Sequence, residues 1–90
     1  ILRHNRINPA LGEKVTVTVN LPKSGHLTVR IYGPSGEMVA TLADTETPAG
    51  DAEFSWGAQN SQGQTVSSGI YFVTVDGPGL QAREKIVVVR

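Results

Sequence analysis

Apolar and polar residues take turns along most of this chain. In "EKVTVTVNL", Val15, Val17, Val19 and Leu21 fall on one side and Thr16, Thr18 and Asn20 on the other. A period of two is that of a strand with one dry and one wet face. Pro22 and Gly25 break the run, because proline removes a backbone donor and glycine permits turn geometry. "HLTVRIY" then repeats it, with Leu27, Val29 and Ile31 inward and Thr28, Arg30 and Tyr32 outward. Gly33-Pro34-Ser35-Gly36 reads as a tight turn, so these two strands and the next are expected to form a meander. In that next strand, "EMVATLA", Met38, Ala40 and Leu42 make the inner set.

Pro48 and Gly50 interrupt the pattern before "DAEFSWG", where Ala52, Phe54 and Trp56 share one face and Glu53 and Ser55 the other. The long polar stretch "AQNSQGQTVSSG" reads as a loop. In "GIYFVTV", Tyr71, Val73 and Val75 lie on one face and Ile70, Phe72 and Thr74 on the opposite one. A tyrosine at the head of such a strand buries its ring and ties its hydroxyl to backbone at the sheet corner. "DGPG" is a further turn, and "LQAREKIVVVR" is the last strand, with Ile86 and Val88 inward and Val87 and Val89 outward. Residues 1–9 are expected to be an edge strand or linker ended by Pro9.

No segment carries a 3.6-residue apolar stripe over about ten positions, which excludes helices as main elements. The pattern predicts an all-β, Ig-like or fibronectin III-like sandwich: two antiparallel sheets of about seven strands in one domain, 1–90. Its expected core is Val17, Val29, Ile31, Leu42, Phe54, Trp56, Tyr71, Val73, Ile86 and Val88.

Ninety residues are too few to divide into two useful cores. With 39% apolar and 18% charged residues, the chain has enough for a modest core and too little charge for disorder. Eight basic and eight acidic residues cancel, which argues against nucleic acid or an anionic membrane as partner. The absence of cysteine excludes disulfides and thiolate metal sites. The longest apolar run, Ile86–Val89, is far short of the roughly 18 residues of a spanning helix, so no membrane insertion is expected. A chain beginning at Ile1 is expected to be a processed or excised piece of something longer.

The usual chemical constellations are missing. His4 and His26 stand 22 positions apart, in no ligand or triad pattern. Ser35 sits in a turn, not in a nucleophile elbow. Gly77-Pro78-Gly79 lacks the spacing of a dinucleotide loop. Asp44, Glu46 and Asp51 come nearest to a calcium loop but read better as a solvated turn. No catalytic, cofactor-binding or metal residue is assigned, and neither an enzyme nor a small-molecule substrate is expected.

One group of residues resembles a known family. "LTVRIYGPSGEMVATL", "PAGDAEFSWGAQNSQGQTVSSGIYFVTV" and "REKIVVV" together look like the Ig-like domain named for the C-terminal part of the flagellar hook-capping protein. That pattern overlaps with the C-terminal sorting domains of type IX secretion. It runs from about Asn8 to the end, marked by Gly36, Pro48-Ala49-Gly50, Trp56, Gly63 and Ser68-Gly69 before Tyr71. Two departures stand out: Gly33 where the family commonly has Asp, and Gly57–Gln62 where it commonly has an acidic cluster. A cation-binding loop is therefore not carried over.

The resemblance implies a bacterial, extracellular or envelope setting and a non-catalytic role. In order of preference, the role is a C-terminal accessory module for export, sorting or anchoring, a cap or subunit domain of an extracellular assembly, or a carbohydrate- or ligand-binding sandwich. The expected partners are proteins: parent-chain domains, export machinery or neighbouring subunits. On a sandwich without reactive groups, function means a surface. The outward apolar residues Ile70, Phe72, Val87 and Val89 are the candidate partner-binding set, docking through the face or by strand addition at an edge.

Overall fold

The computed structural model of the protein describes residues 5–90 and is a sandwich of seven strands. They are β1 (Arg6–Ile7), β2 (Val15–Leu21), β3 (Gly25–Tyr32), β4 (Met38–Thr47), β5 (Gly50–Trp56), β6 (Gly69–Gly77) and β7 (Leu80–Val88). A single 3-10 turn, Pro9–Leu11, follows β1. Five strands form one sheet in the order β1-β7-β6-β3-β4, and β2 and β5 form the other. Pairing is antiparallel except for β1, which runs parallel to β7. The part of the N-terminal segment before Asn5, His4 included, lies outside the described residues.

The two layers meet on the alternating apolar positions. From the small sheet come Val15, Val17, Val19, Leu21 and Trp56; from the large one Leu27, Val29, Ile31, Tyr71, Val73, Val75, Ile86 and Val88, all buried. Ile7 of β1 joins them at 2% exposure, because its register with Val88 brings it over the same interior. Leu42 and Phe54, counted with the core from the sequence, are only partly buried and pack against its margin. Both stand on strands with a free edge, β4 and β5, where less of the facing layer covers them. Gly77 lies close beneath the other layer: a Cβ there would come within 2.7 Å of the Leu21 side chain.

Two expectations fail for identifiable reasons. The meander does not form, since β2 pairs with β5 while β3 pairs with β4 and β6. The turn after Leu21 carries the chain across to the other sheet, and a dry face looks the same whichever sheet it belongs to. In β4 the inner set holds only at Ala40: Met38 is 59% exposed and Leu42 partly buried, while Val39 and Ala43 join Ala40 in the interior. The register explains it. Ile31 faces Ala40 but Tyr32 faces Met38, and Val29 faces Ala43 but Arg30 faces Thr41, so Val39 and Leu42 are each one residue too many. Such bulges reset the phase of alternation and roughen an edge against unwanted pairing.

The β3–β4 turn also accounts for Gly33. The Glu37 carboxylate folds back to accept hydrogen bonds from Ser35 N–H (3.1 Å) and Ser35 Oγ (2.9 Å). It occupies the place where a Cβ on Gly33 would stand, at 2.5 Å. Hydrogen bonds from its own backbone N–H and from Ser35 hold the Glu37 carboxyl below its ordinary range.

Candidate docking face

Strand register turns scattered sequence positions into rows on the outer face of the five-stranded sheet. The first row reads Arg6, Val87, Ile70 across β1, β7 and β6. The second reads Lys85, Phe72, Tyr32, Met38 across β7, β6, β3 and β4. The third is Arg83, Thr74, Arg30, Thr41, and the fourth Gln81, Asp76, Thr28, Asp44. His26 and Glu46 complete the far end. The face therefore grades from apolar and basic at one end to acidic at the other.

Of the residues singled out for partner binding, Ile70 and Val87 stand directly opposite one another, and Phe72 lies one row on. Val89 falls past the end of β7, where its N–H donates to the Ile7 carbonyl at 2.9 Å. Ile70 is 45% exposed, whereas Phe72, Val87 and Val89 are half-buried. Tyr32 and Met38 join this patch although they come from a different hairpin. Only the register of β6 on β3 sets Tyr32 beside Phe72, and that of β3 on β4 sets Met38 beside Tyr32; no local pattern signals either.

Arg83 lies over the Phe72 ring, its guanidinium carbon 4.3 Å from the centroid, the geometry of a cation–π contact. Tyr32, Pro34, Phe72, Thr74 and Arg83 border a hollow of about 410 Å³. A second one of about 300 Å³ continues from Thr74 and Tyr32 toward Arg30, Asp76 and Gln81. Thr74 makes these hollows because a small side chain stands between larger ones. A larger groove of about 590 Å³, with Met38, Leu42, Trp56 and Asn60 on its walls, opens between the edges of β4 and β5.

The acidic end is organised around His26. Its Nε2 is hydrogen-bonded to Asp44 Oδ1, and its Nδ1 lies 3.7 Å from Glu46 Oε1. Arg30 Nη2 lies 3.8 Å from the other Asp44 oxygen. The hydrogen bond to Asp44, opposed by desolvation and helped by the charges of Asp44 and Glu46, raises the His26 pKa above its ordinary value. A raised folded-state pKa gives stability that is fully present below the unfolded pKa near 6.5 and lost as pH rises through the folded value. The melting temperature of the protein relative to His26→Gln is therefore expected to be higher at about pH 5.5 and to converge with it by about pH 8.5. A difference that stays constant over that range would rule out the linkage. Asp51, the third acid of this region, bonds instead to Asn20 Nδ2 at 2.7 Å on the other sheet.

The tyrosine and the tryptophan belong to the interior. Their ring centroids are 5.6 Å apart and tilted by 55°. Tyr71 donates to the Ser67 carbonyl at 2.7 Å, and Trp56 Nε1 to the Gln59 carbonyl at 2.8 Å. Each ring is buried while its polar handle is satisfied by backbone.

The sequence matches the family of the FlgD Ig-like domain over residues 4–79. The chain belongs to that family. Among solved structures, FlgD from P. aeruginosa superposes with a TM-score of 0.65 at 20% identity, covering 83% of this chain and 62% of that one. PorZ of Porphyromonas gingivalis, described as an essential bacterial surface component of its type IX secretion system, superposes with a TM-score of 0.69 at 22% identity. That match covers 100% of this chain and 11% of PorZ. At these identities the likeness is one of fold, and the chain spans under two thirds of either relative. No curated protein matches it.

Proposed function

We propose that this family member is a non-catalytic accessory module of a secreted or surface bacterial protein, and that it docks protein through the outer face of its five-stranded sheet. One observation carries the reading: Ile70, Val87, Phe72, Tyr32 and Met38 occupy adjacent rows of a single surface, with Ile70 at 45% and Met38 at 59% exposure. Contiguous apolar surface ringed by charge marks interaction sites. The position of β1 adds support, because Arg6 shares the first row, so a domain joined upstream would be tethered beside the patch. PorZ, 11% of which shares this fold, is described as a bacterial surface component, which agrees with an envelope or extracellular setting. Export, sorting and anchoring are roles that such docking could serve, as is a place in an extracellular assembly.

The test is site-specific photo-crosslinking in the parent protein, in its own host. A benzoylphenylalanine in place of Ile70 is expected to give one discrete protein adduct, and one in place of Glu53, exposed on the small sheet, none. Val87→Asp is expected to reduce the Ile70 adduct at least about fivefold. Equal labelling from both positions, or no adduct from Ile70, would contradict the proposal.

A further inference from the structure

We infer that this face takes an extended segment of a partner protein in which an apolar residue is followed, two positions on, by a carboxylate. The inference rests on the docking reading and specifies its partner. The apolar side chain would enter the hollow between Tyr32, Pro34 and Phe72, and the carboxylate would meet Arg83 and Arg30 in the next row.

Four observations lead there. Among the described residues Arg83 makes no ion pair; it is held by stacking on Phe72, which leaves the edge of its guanidinium available. Arg30 is under-used: its Nη2 is 3.8 Å from Asp44 Oδ2, beyond hydrogen-bonding reach, while the other oxygen of that carboxylate, Oδ1, is engaged by His26. Its Nε is buried and has no hydrogen-bond partner. Finally, Thr74 alone separates the two arginines along their row, about 10 Å apart from backbone to backbone, and lines both hollows, the one bordered by Arg83 and the one bordered by Arg30. Guanidinium forks hold a carboxylate or a phosphate bidentately, and the group of that kind that an unmodified protein segment carries is a carboxylate.

Spacing gives the order of residues. The aromatic row and the arginine row are two residues apart along the strands, about 6.7 Å, which is also the distance between side chains i and i+2 of an extended peptide. The charge gradient gives the direction. Beyond the arginines lie Asp76, Asp44 and Glu46, so the partner's next same-face residue is neutral or basic. That disfavours an acidic polysaccharide, whose regularly repeated carboxylates would be carried onto the acidic end.

The test uses the 15N-labelled 90-residue protein and three probes: acetyl-Thr-Ile-Thr-Asp-Thr-amide, the same peptide with Lys for Asp, and an oligogalacturonate. The Asp peptide is expected to shift the amides of Arg30, Phe72, Thr74 and Arg83 and to bind about tenfold more tightly than the Lys peptide at low salt. Arg83→Gln is expected to remove most of that preference, and Arg83→Lys to restore part of it. Equal binding of both peptides, shifts confined to other strands, or tighter binding of the oligogalacturonate at the same amides would each overturn the inference. The Ile70 crosslink separates it from the docking reading. An adduct that survives Arg30→Gln with Arg83→Gln at its original level, yet is lost with Val87→Asp, would leave a docking face and eliminate the acidic partner.

Discussion

Removal of residues 85–90 is expected to abolish cooperative folding. The deletion takes away Ile86 and Val88, exposed at 0% and 1%, and with them the strand partners of Gly69, Ile70 and Tyr71. It also takes β1's partners in the sheet, because Arg6 and Ile7 pair with Val87 and Val88. Ile7 would then lose its place in the core. Burying a large aliphatic side chain contributes about 1.5–3 kcal/mol, and three are lost here, together with the hydrogen bonds of two strands. A domain of this size is stable by about 5–13 kcal/mol in all. The backbone N–H of Arg90 donates to Ser68 Oγ at 3.0 Å and its Nη1 reaches the Val66 carbonyl at 3.4 Å, so the polar loop is released as well. The measurement is the amide dispersion and thermal melt of the shortened chain. A cooperative transition at the original temperature would mean that β7 is not a structural strand.

The second large effect is expected at Trp56. Trp56→Ala empties the space beside Tyr71 and leaves the Gln59 carbonyl without its donor. Truncation of a buried tryptophan costs about 3–5 kcal/mol. For a domain this small that lowers the melting temperature by about 15–30 °C, followed by circular dichroism because the only tryptophan is gone. The loop after β5 should loosen first. Ala58 is fully buried in a left-handed conformation with φ 60°, a strained geometry held by Val66 N–H donating to its carbonyl at 2.8 Å. Faster amide exchange at Val66 in the variant would show it. A melting temperature within about 5 °C of the original would remove Trp56 from the centre of the core.

These two residues show how far the sequence could be read. Tyr71 and Trp56 were legible because each lies in a strand with strict alternation, where phase alone gives the face. Met38 was not. The phase of β4 is reset at Val39 and Leu42, and a bulge has no local sequence marker among "EMVATL". The sheet assignment of β2 was hidden for a different reason. A turn can return the chain to its own sheet or send it to the other, and the alternation on either side is the same. The proposed docking face was partly visible: Ile70, Phe72 and Val87 follow from alternation in β6 and β7. Tyr32, Met38, Arg30 and Arg83 become its neighbours only through long-range register, which one strand's pattern does not contain.

The parallel pairing of β1 with β7 has a mechanical meaning. Val87 N–H to the Asn5 carbonyl at 2.6 Å and Val89 N–H to the Ile7 carbonyl at 2.9 Å are among the bonds that join these adjacent terminal strands, which run the same way. Tension applied between the two ends of the domain pulls these strands in opposite directions along their length. The bonds of this clasp are then loaded in shear together, instead of unzipping singly.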